Sequence, residues 1–337
     1  MTKVRYKALM PFSVSNKTIV DKGAEVFFVR SGKLIERKIA LGEERVIQND
    51  IYNFFFFDDY FFAGRIGNTA SVLIKYDSLE ETNLDFDLNL PGIQTDTVYY
   101  GSTIHKNKPS ILTFSFESKT LSNVYPTKYG AVKVYRHNFY LTFFSGELFF
   151  FSFENAEDPI WVFNPKVVFK EANEMFLTGY PDIIGEIVVT NVTLDGTNHL
   201  VGLKTTTGEV LWQIHCYQFF ASLQETIYTF KMGNGIMELL TIEANSGQYT
   251  RVNISETVRS ANLVLDPRIG FCVVEGYMYL SFFYQKKVAV LNLSTLEIEF
   301  VQPVPTDTDW IGSPVVKGDR IYILDERKTY HVFEREY

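Results

Sequence analysis

A chain of 337 residues, 46% hydrophobic and 16% aromatic, is long enough to bury a core without disulfides or a structural metal. Its 40 acidic residues outweigh 32 basic ones, a formal net charge of -8, and Lys and Arg do not cluster, which argues against a nucleic-acid partner and permits a basic protein partner. The most apolar runs, Phe54 to Phe57 and Leu148 to Phe153, fall far short of the ~20 residues of a membrane-crossing helix, so no membrane partner is expected.

Along the chain, Met1 to Lys7 lacks the apolar core of a secretory signal, which sets the expectation of a cytoplasmic protein. Val4 to Phe12 reads as a strand. Ile19 to Phe28 is a short apolar strand, a Gly turn and an alternating strand, and comparable text recurs at Val134 to Leu141, Cys272 to Leu280 and Pro314 to Leu324. Phe54 to Phe57 and Tyr60 to Phe62 read as consecutive strands buried on both faces; the alternative is an exposed apolar patch for a partner. A second phrase, strand, polar turn, strand, is sharpest at Gly202 to Trp212 and weaker at Ile74 to Glu81, Thr241 to Tyr249 and Leu291 to Phe300. Only Phe169 to Thr178 suits a short helix. Gly233-Asn234-Gly235 opens like a nucleotide loop but lacks the third glycine and the helix, so it reads as a turn.

The turns of the second phrase align near Gly42, Leu79, Lys119, Glu157, Gly208, Gly247 and Leu296, a period of about 40 residues built only from strands. Such a period predicts an all-β fold, a single β-propeller over residues 1–337 with eight four-stranded blades. Seven blades is the runner-up, because Tyr99 to Tyr125 carries the weakest inner-strand signal. An eighth turn would fall just past Tyr337. The last blade then has three strands of its own, and Val4 to Phe12 supplies the fourth, closing the ring and leaving no open sheet edge.

Gly202 to Trp212, with Ser313 to Val316, resembles the pyrroloquinoline-quinone-type propeller repeat. The resemblance implies that Trp212, and Trp161 as a second copy, dock between neighbouring blades, whereas Phe300 and Tyr249 depart from Trp at the equivalent place. It implies a fold and no quinone: many members of the class bind none, and no cofactor is expected here.

No catalytic phrase is present: no H-E-x-x-H, G-x-S-x-G, Walker loop or paired C-x-x-C. The five histidines, His105, His137, His199, His215 and His331, sit at dissimilar places in the repeat, so a histidine metal site on the axis is not expected. Cys216 and Cys272 read as buried free thiols. The connections from one blade's outer strand to the next blade's inner strand open on the channel face. Three look long or polar, Lys166 to Asp182, Glu256 to Arg268 and Gln302 to Trp310. They supply the candidate partner-binding residues Glu171, Glu174, Arg259, Asp266, Arg268, Asp307, Asp309 and Trp310.

Two functions fit. One is a non-enzymatic protein-binding propeller, in its concrete form a cytoplasmic bacterial inhibitor or toxin-immunity protein whose acidic surface steers a basic partner. The other is a hydrolase or lyase acting on a carbohydrate or small polar substrate, with acid and base drawn from different blades at the channel mouth.

Overall fold

The computed structural model describes residues 4–57, 60–67, 71–84, 89–94, 98–105, 108–115, 117–118, 120–127, 133–136, 139–216, 219–266 and 268–336. The chain enters through β1 (Arg5–Ala8) and β2 (Phe12–Ser13) and then builds antiparallel sheets in sequence order. Sheet 1 is β3 (Ile19–Asp21), β4 (Glu25–Arg30), β5 (Lys33–Lys38) and β6 (Glu44–Asn49). Sheet 2 is β7 (Ile51–Phe57), β8 (Tyr60–Arg65), β9 (Ser71–Lys75) and β10 (Glu81–Asn83). Sheet 3 is β11 (Asn89–Gln94), β12 (Val98–His105), β13 (Lys108–Ser115) and β14 (Thr120–Pro126). Sheet 4 is β15 (Lys133–Tyr135), β16 (Phe139–Phe144), β17 (Glu147–Ser152) and β18 (Trp161–Phe163), and a single-turn helix, α1 (Pro165–Val168), leads out of it. Sheet 5 is β19 (Met175–Ile184), β20 (Ile187–Leu194), β21 (Thr197–Lys204) and β22 (Val210–His215). Sheet 6 is β23 (Phe220–Leu223), β24 (Thr226–Gly233), β25 (Ile236–Glu243) and β26 (Tyr249–Asn253), followed by α2 (Ser255–Ser260). Sheet 7 is β27 (Ile269–Val274), β28 (Tyr277–Phe282), β29 (Lys287–Asn292) and β30 (Ile298–Pro303). Sheet 8 is β31 (Ile311–Lys317), β32 (Arg320–Asp325) and β33 (Thr329–Glu336), with β1 and β2 both paired antiparallel to β33.

The described residues thus form eight sheets. Each hydrophobic cluster lies between two sheets consecutive in sequence, and one joins the last to the first. Phe12, Val26, Phe28 and Ile35 of the N-terminal side pack there on Tyr322, Tyr330 and Val332 of sheet 8. The core is therefore a circle of inter-sheet layers, which requires strands buried on both faces. Phe61 and Phe62, successive residues of β8, meet that requirement and are fully buried, as the sequence expects. On β7 Phe54 is buried but Phe55 and Phe56 are only half-buried, so the expectation holds for β8 and only in part for β7. First strands of neighbouring sheets, such as β27 and β31, pack together near the axis, whereas β26 is exposed along its whole length at the rim.

The aligned turn positions have a common physical basis. In five turns between third and fourth strands, the amide of Gly42, Leu79, Gly208, Gly247 or Leu296 donates to the carbonyl four residues earlier, at 2.8–2.9 Å. The same five residues have positive φ, between 56° and 70°. A helical turn closed by a left-handed residue explains why glycine recurs there. Lys119 lies outside the described residues, and Glu157 lies in an exposed loop between β17 and β18.

Trp161 and Trp212 dock as the resemblance implies. Trp161 Nε1 donates to the Thr205 carbonyl (2.7 Å) and its ring covers Gly208 in the next sheet's turn. Trp212 Nε1 donates to the Ala244 carbonyl (2.8 Å) and its ring covers Gly247. Phe300 is the register equivalent of Trp212, opposite Val290 as Trp212 is opposite Gly202. Its next sheet has no such turn, because the chain ends meet there, and Phe300 packs instead on Tyr6 of β1, centroids 4.9 Å apart.

Three expectations need correction. Tyr249 is not the Trp equivalent: it stands opposite Ile242 just after the turn, as Val210 stands opposite Leu203. Phe169 to Thr178 is not a helix; α1 ends at Val168, and strand β19 begins at Met175. The helix starts earlier because Asn164 Oδ1 caps the Lys166 amide (2.8 Å) and Pro165 presets the first turn. Asp182, placed by the sequence on a loop, is in β19 and pairs with Lys133 (2.9 Å).

Candidate functional site: the loop face of sheets 7 and 8

With four antiparallel strands per sheet, the outer-to-inner connections and the turns between second and third strands share one face. Two neighbouring loops on this face, residues 261–266 with Arg268 and residues 304–310, are tied to the turn 283–286 between them. The Gln285 amide clamps Val264, donating from Nε2 to its carbonyl and accepting its N–H at Oε1, both 2.9 Å. Lys287 Nζ donates to the Asn262 carbonyl (2.8 Å), and the Val304 amide donates to the Lys286 carbonyl (2.7 Å). The three segments form one continuous, backbone-pinned surface.

Five of the expected residues lie on it. Asp266 accepts from the Arg268 amide (2.8 Å), Nε (3.0 Å) and Nη2 (3.2 Å), and those bonds hold its carboxyl below the usual range. The Arg268 guanidinium lies 3.8 Å over the Tyr284 ring while it neutralises Asp266. Asp307 pairs with Arg327 (2.7 Å) on the exposed surface, and Asp309 is exposed with no partner among the described residues. Trp310 is 41% exposed, with Tyr284 at 49% and Val264 at 64%, so each of the three joined segments carries one large exposed apolar side chain. Sequence reading missed Tyr284, Val264 and Arg327. The first lies in Phe282-Phe283-Tyr284, which reads as strand, and only the fold turns its end into a loop tip.

The remaining expected residues separate. Arg259 pairs within α2 with Glu256 and reaches the Gly235 carbonyl, both at 2.5 Å. Glu171 and Glu174 are exposed beyond α1, on the loop between sheets 4 and 5. Glu171 lines a shallow cavity of about 480 Å³ with Val168, Phe169 and Asp195. A cavity of about 630 Å³ at the junction of sheets 8 and 1 is lined by charges already committed to closing the ring, Asp21, Arg320 and Glu334 among them.

Beneath Trp310 a buried polar network holds the 304–310 loop. Thr306 Oγ1 donates to Asp325 Oδ2 (2.9 Å), which also meets His331 Nε2 at 3.0 Å, while the Thr329 amide donates to Oδ1 (2.9 Å). Thr308 Oγ1 donates to the Trp310 carbonyl (3.1 Å). His331 Nε2 faces the carboxylate, and its Nδ1 is buried without a partner among the described residues. Burial raises the Asp325 pKa, but hydrogen bonds from His331, the Thr329 amide and Thr306 outweigh it and hold the carboxyl below its usual range. A depressed pKa contributes stability that is complete above the unfolded value, about 3.9, and is lost as pH falls through the lower folded value. The Asp325 carboxyl's contribution to the stability difference between wild type and Asp325→Ala, from urea unfolding, should therefore be complete above about pH 5 and shrink progressively below that.

Cys216 is buried and Cys272 half-buried, which corrects the expectation for the second, and neither is in a disulfide. Burial pushes both thiols up to about 12, which keeps them protonated and unreactive at neutral pH.

The architecture matches solved structures along its length. The crystal structure of BamB from Moraxella catarrhalis superposes with a TM-score of 0.57 over 98% of this chain and 100% of that one, at 12% identity. The chain is a β-propeller. The β-propeller domain of Cps50 (Swd1) from Myceliophteria thermophila covers 98% of the chain with a TM-score of 0.49 and 8% identity. No protein-family model matches this propeller, and no curated protein matches it in sequence. Among the described residues no group of three or more His, Cys, Asp or Glu is arranged to hold a metal ion.

Proposed function

We propose that this propeller is a non-enzymatic protein-binding module whose partner docks on the loop face of sheets 7 and 8. The observation that carries this reading is the exposure of Val264, Tyr284 and Trp310 on three segments that hydrogen bonds hold together. Large aromatic side chains at low ordering cost are the usual anchors of protein interfaces, and rigid loops reduce what must be ordered on binding. Asp309, Asp307 and the net charge of -8 favour a basic partner and a salt-dependent association rate. A cytoplasmic inhibitor of a basic protein, such as a toxin-immunity protein, is the concrete form we propose, since inhibition needs only a rigid surface that covers another. The BamB likeness supports the scaffold and leaves the partner to experiment.

The test is capture by the tagged protein, followed by titration of the purified captured protein against wild type and Trp310→Ala/Tyr284→Ala. The double variant should bind at least about 30-fold more weakly, roughly 2 kcal/mol, with an unchanged Tm. Raising salt should slow association more than it speeds dissociation. Equal affinity of variant and wild type would remove this face from the interaction.

A further inference from the structure

His199 on β21 and His215 on β22 are direct cross-strand partners near the rim of sheet 5. Their ring centroids are 5.5 Å apart and the planes are inclined by 36°. His215 is exposed and His199 half-buried, so both rings reach solvent. The register is fixed by the alternate residues, Leu200 and Ile214, which are buried in the layer between sheets 5 and 6. The pair is therefore preset by the fold.

We propose that His199 and His215 form a binding site for a divalent cation of borderline softness, Zn²⁺ or Cu²⁺, held by one nitrogen of each imidazole, with water completing the coordination. The spacing carries the proposal. A metal bonded at about 2.0–2.1 Å lies roughly 3.2 Å from each ring centre, and a tetrahedral angle then sets the centres about 5.2 Å apart. The observed separation of 5.5 Å is close to that distance. Imidazole pairs suit Zn²⁺ and Cu²⁺ over the hard, oxygen-seeking Mg²⁺ and Ca²⁺.

The surroundings agree with that chemistry. Gln213 Nε2 lies 3.0 Å from His199 Nδ1; with the amide turned over, Oε1 accepts the Nδ1 proton and frees Nε2 for the metal. His199 is held below its ordinary pKa by burial and by His215, and His215 by burial and by Lys231. Both rings are then neutral at pH 7, with no proton to displace. Lys231 also repels a bound cation, which makes the site one of modest affinity.

The experiment is Zn²⁺ titration of the tag-free protein at pH 7.4 by calorimetry, with the imidazole resonances followed by long-range ¹H–¹⁵N NMR. One equivalent should bind per chain, and the His199 and His215 signals should shift together. His199→Gln and His215→Gln should each weaken binding roughly tenfold or more, with the metal-free Tm unchanged. Lowering the pH to 5.5 should weaken it further, because protons compete for both rings. If neither resonance moves with saturating Zn²⁺, or the double variant binds as the wild type does, the assignment is wrong. Partner binding at Trp310 is read out separately and does not bear on this result.

Discussion

Gly247→Ala is expected to destabilise the protein by about 2–5 kcal/mol. The residue has a φ of +68°, and an alanine there incurs about 1–2 kcal/mol for its left-handed backbone. An added Cβ would also lie 2.3 Å from Trp212 Cγ. The indole has no room to retreat: Gly202 lies against its other side, where a Cβ would be 2.1 Å from Cε2, and Nε1 is held by the Ala244 carbonyl. Overpacking of this kind adds about 1–3 kcal/mol. A double-mutant cycle separates the two contributions. In a Trp212→Ala background, itself lowered by about 3–5 kcal/mol, Gly247→Ala should cost only its backbone share. Urea midpoints measure all four proteins. Strict additivity would mean that the ring yields and that the dock is not the constraint described. Gly276→Ala is the control, since it has a φ of +80° with no atom within 4 Å of an added Cβ.

That local constraint also explains how much of the fold was legible. Gly208 and Gly247 could be aligned because the turn demands a left-handed residue and the neighbouring indole demands a missing side chain, two requirements that only glycine meets. Leu79 and Leu296 occupy the same backbone position without an indole above them; their copies of the phrase are correspondingly blurred. Arg45 shows the same loss of signal in sheet 1, where the outer strand makes ion pairs with Glu36 in place of an aromatic dock. The loop face was legible by topology, since outer-to-inner connections must emerge together. Which loops touch was not legible. The contact depends on Gln285, whose amide meets Val264, and nothing in a turn sequence announces a partner 21 residues away. The His199–His215 pair was hidden for a related reason. Scanning for an axial site compares equivalent positions in different repeats, whereas these residues meet across two strands of one sheet.

The seam between sheets 8 and 1 should be the second sensitive point, and Asp21→Ala should cost about 3–5 kcal/mol. Asp21 accepts from Arg320 Nη1 (3.0 and 3.2 Å) and from the Tyr322 hydroxyl (2.5 Å), across nearly the full length of the chain. Its side chain is 5% exposed and that of Arg320 is 14% exposed. Arg320 further donates to Glu334 (2.7 Å), which pairs with Lys7 of β1 (3.0 Å), so one guanidinium joins the first sheet, the last strand and the N-terminal strand. Removing the aspartate leaves a largely buried cation and a buried phenol short of an acceptor, the circumstance in which breaking an ion pair is most costly. Exposed pairs give the contrast: Arg136 with Glu186 is open to solvent, and Glu186→Gln should change stability by less than about 1 kcal/mol. The two variants differ in salt response as well. Most of the Asp21 effect should persist in 1 M NaCl, where the Debye length is about 3 Å, whereas any Glu186 effect should vanish. If Asp21→Ala instead lost less than about 1 kcal/mol by urea unfolding, the ring would be held shut by the Phe12–Phe28–Tyr330 layer and the β1–β33 pairing alone, with the ion network only decorating the join.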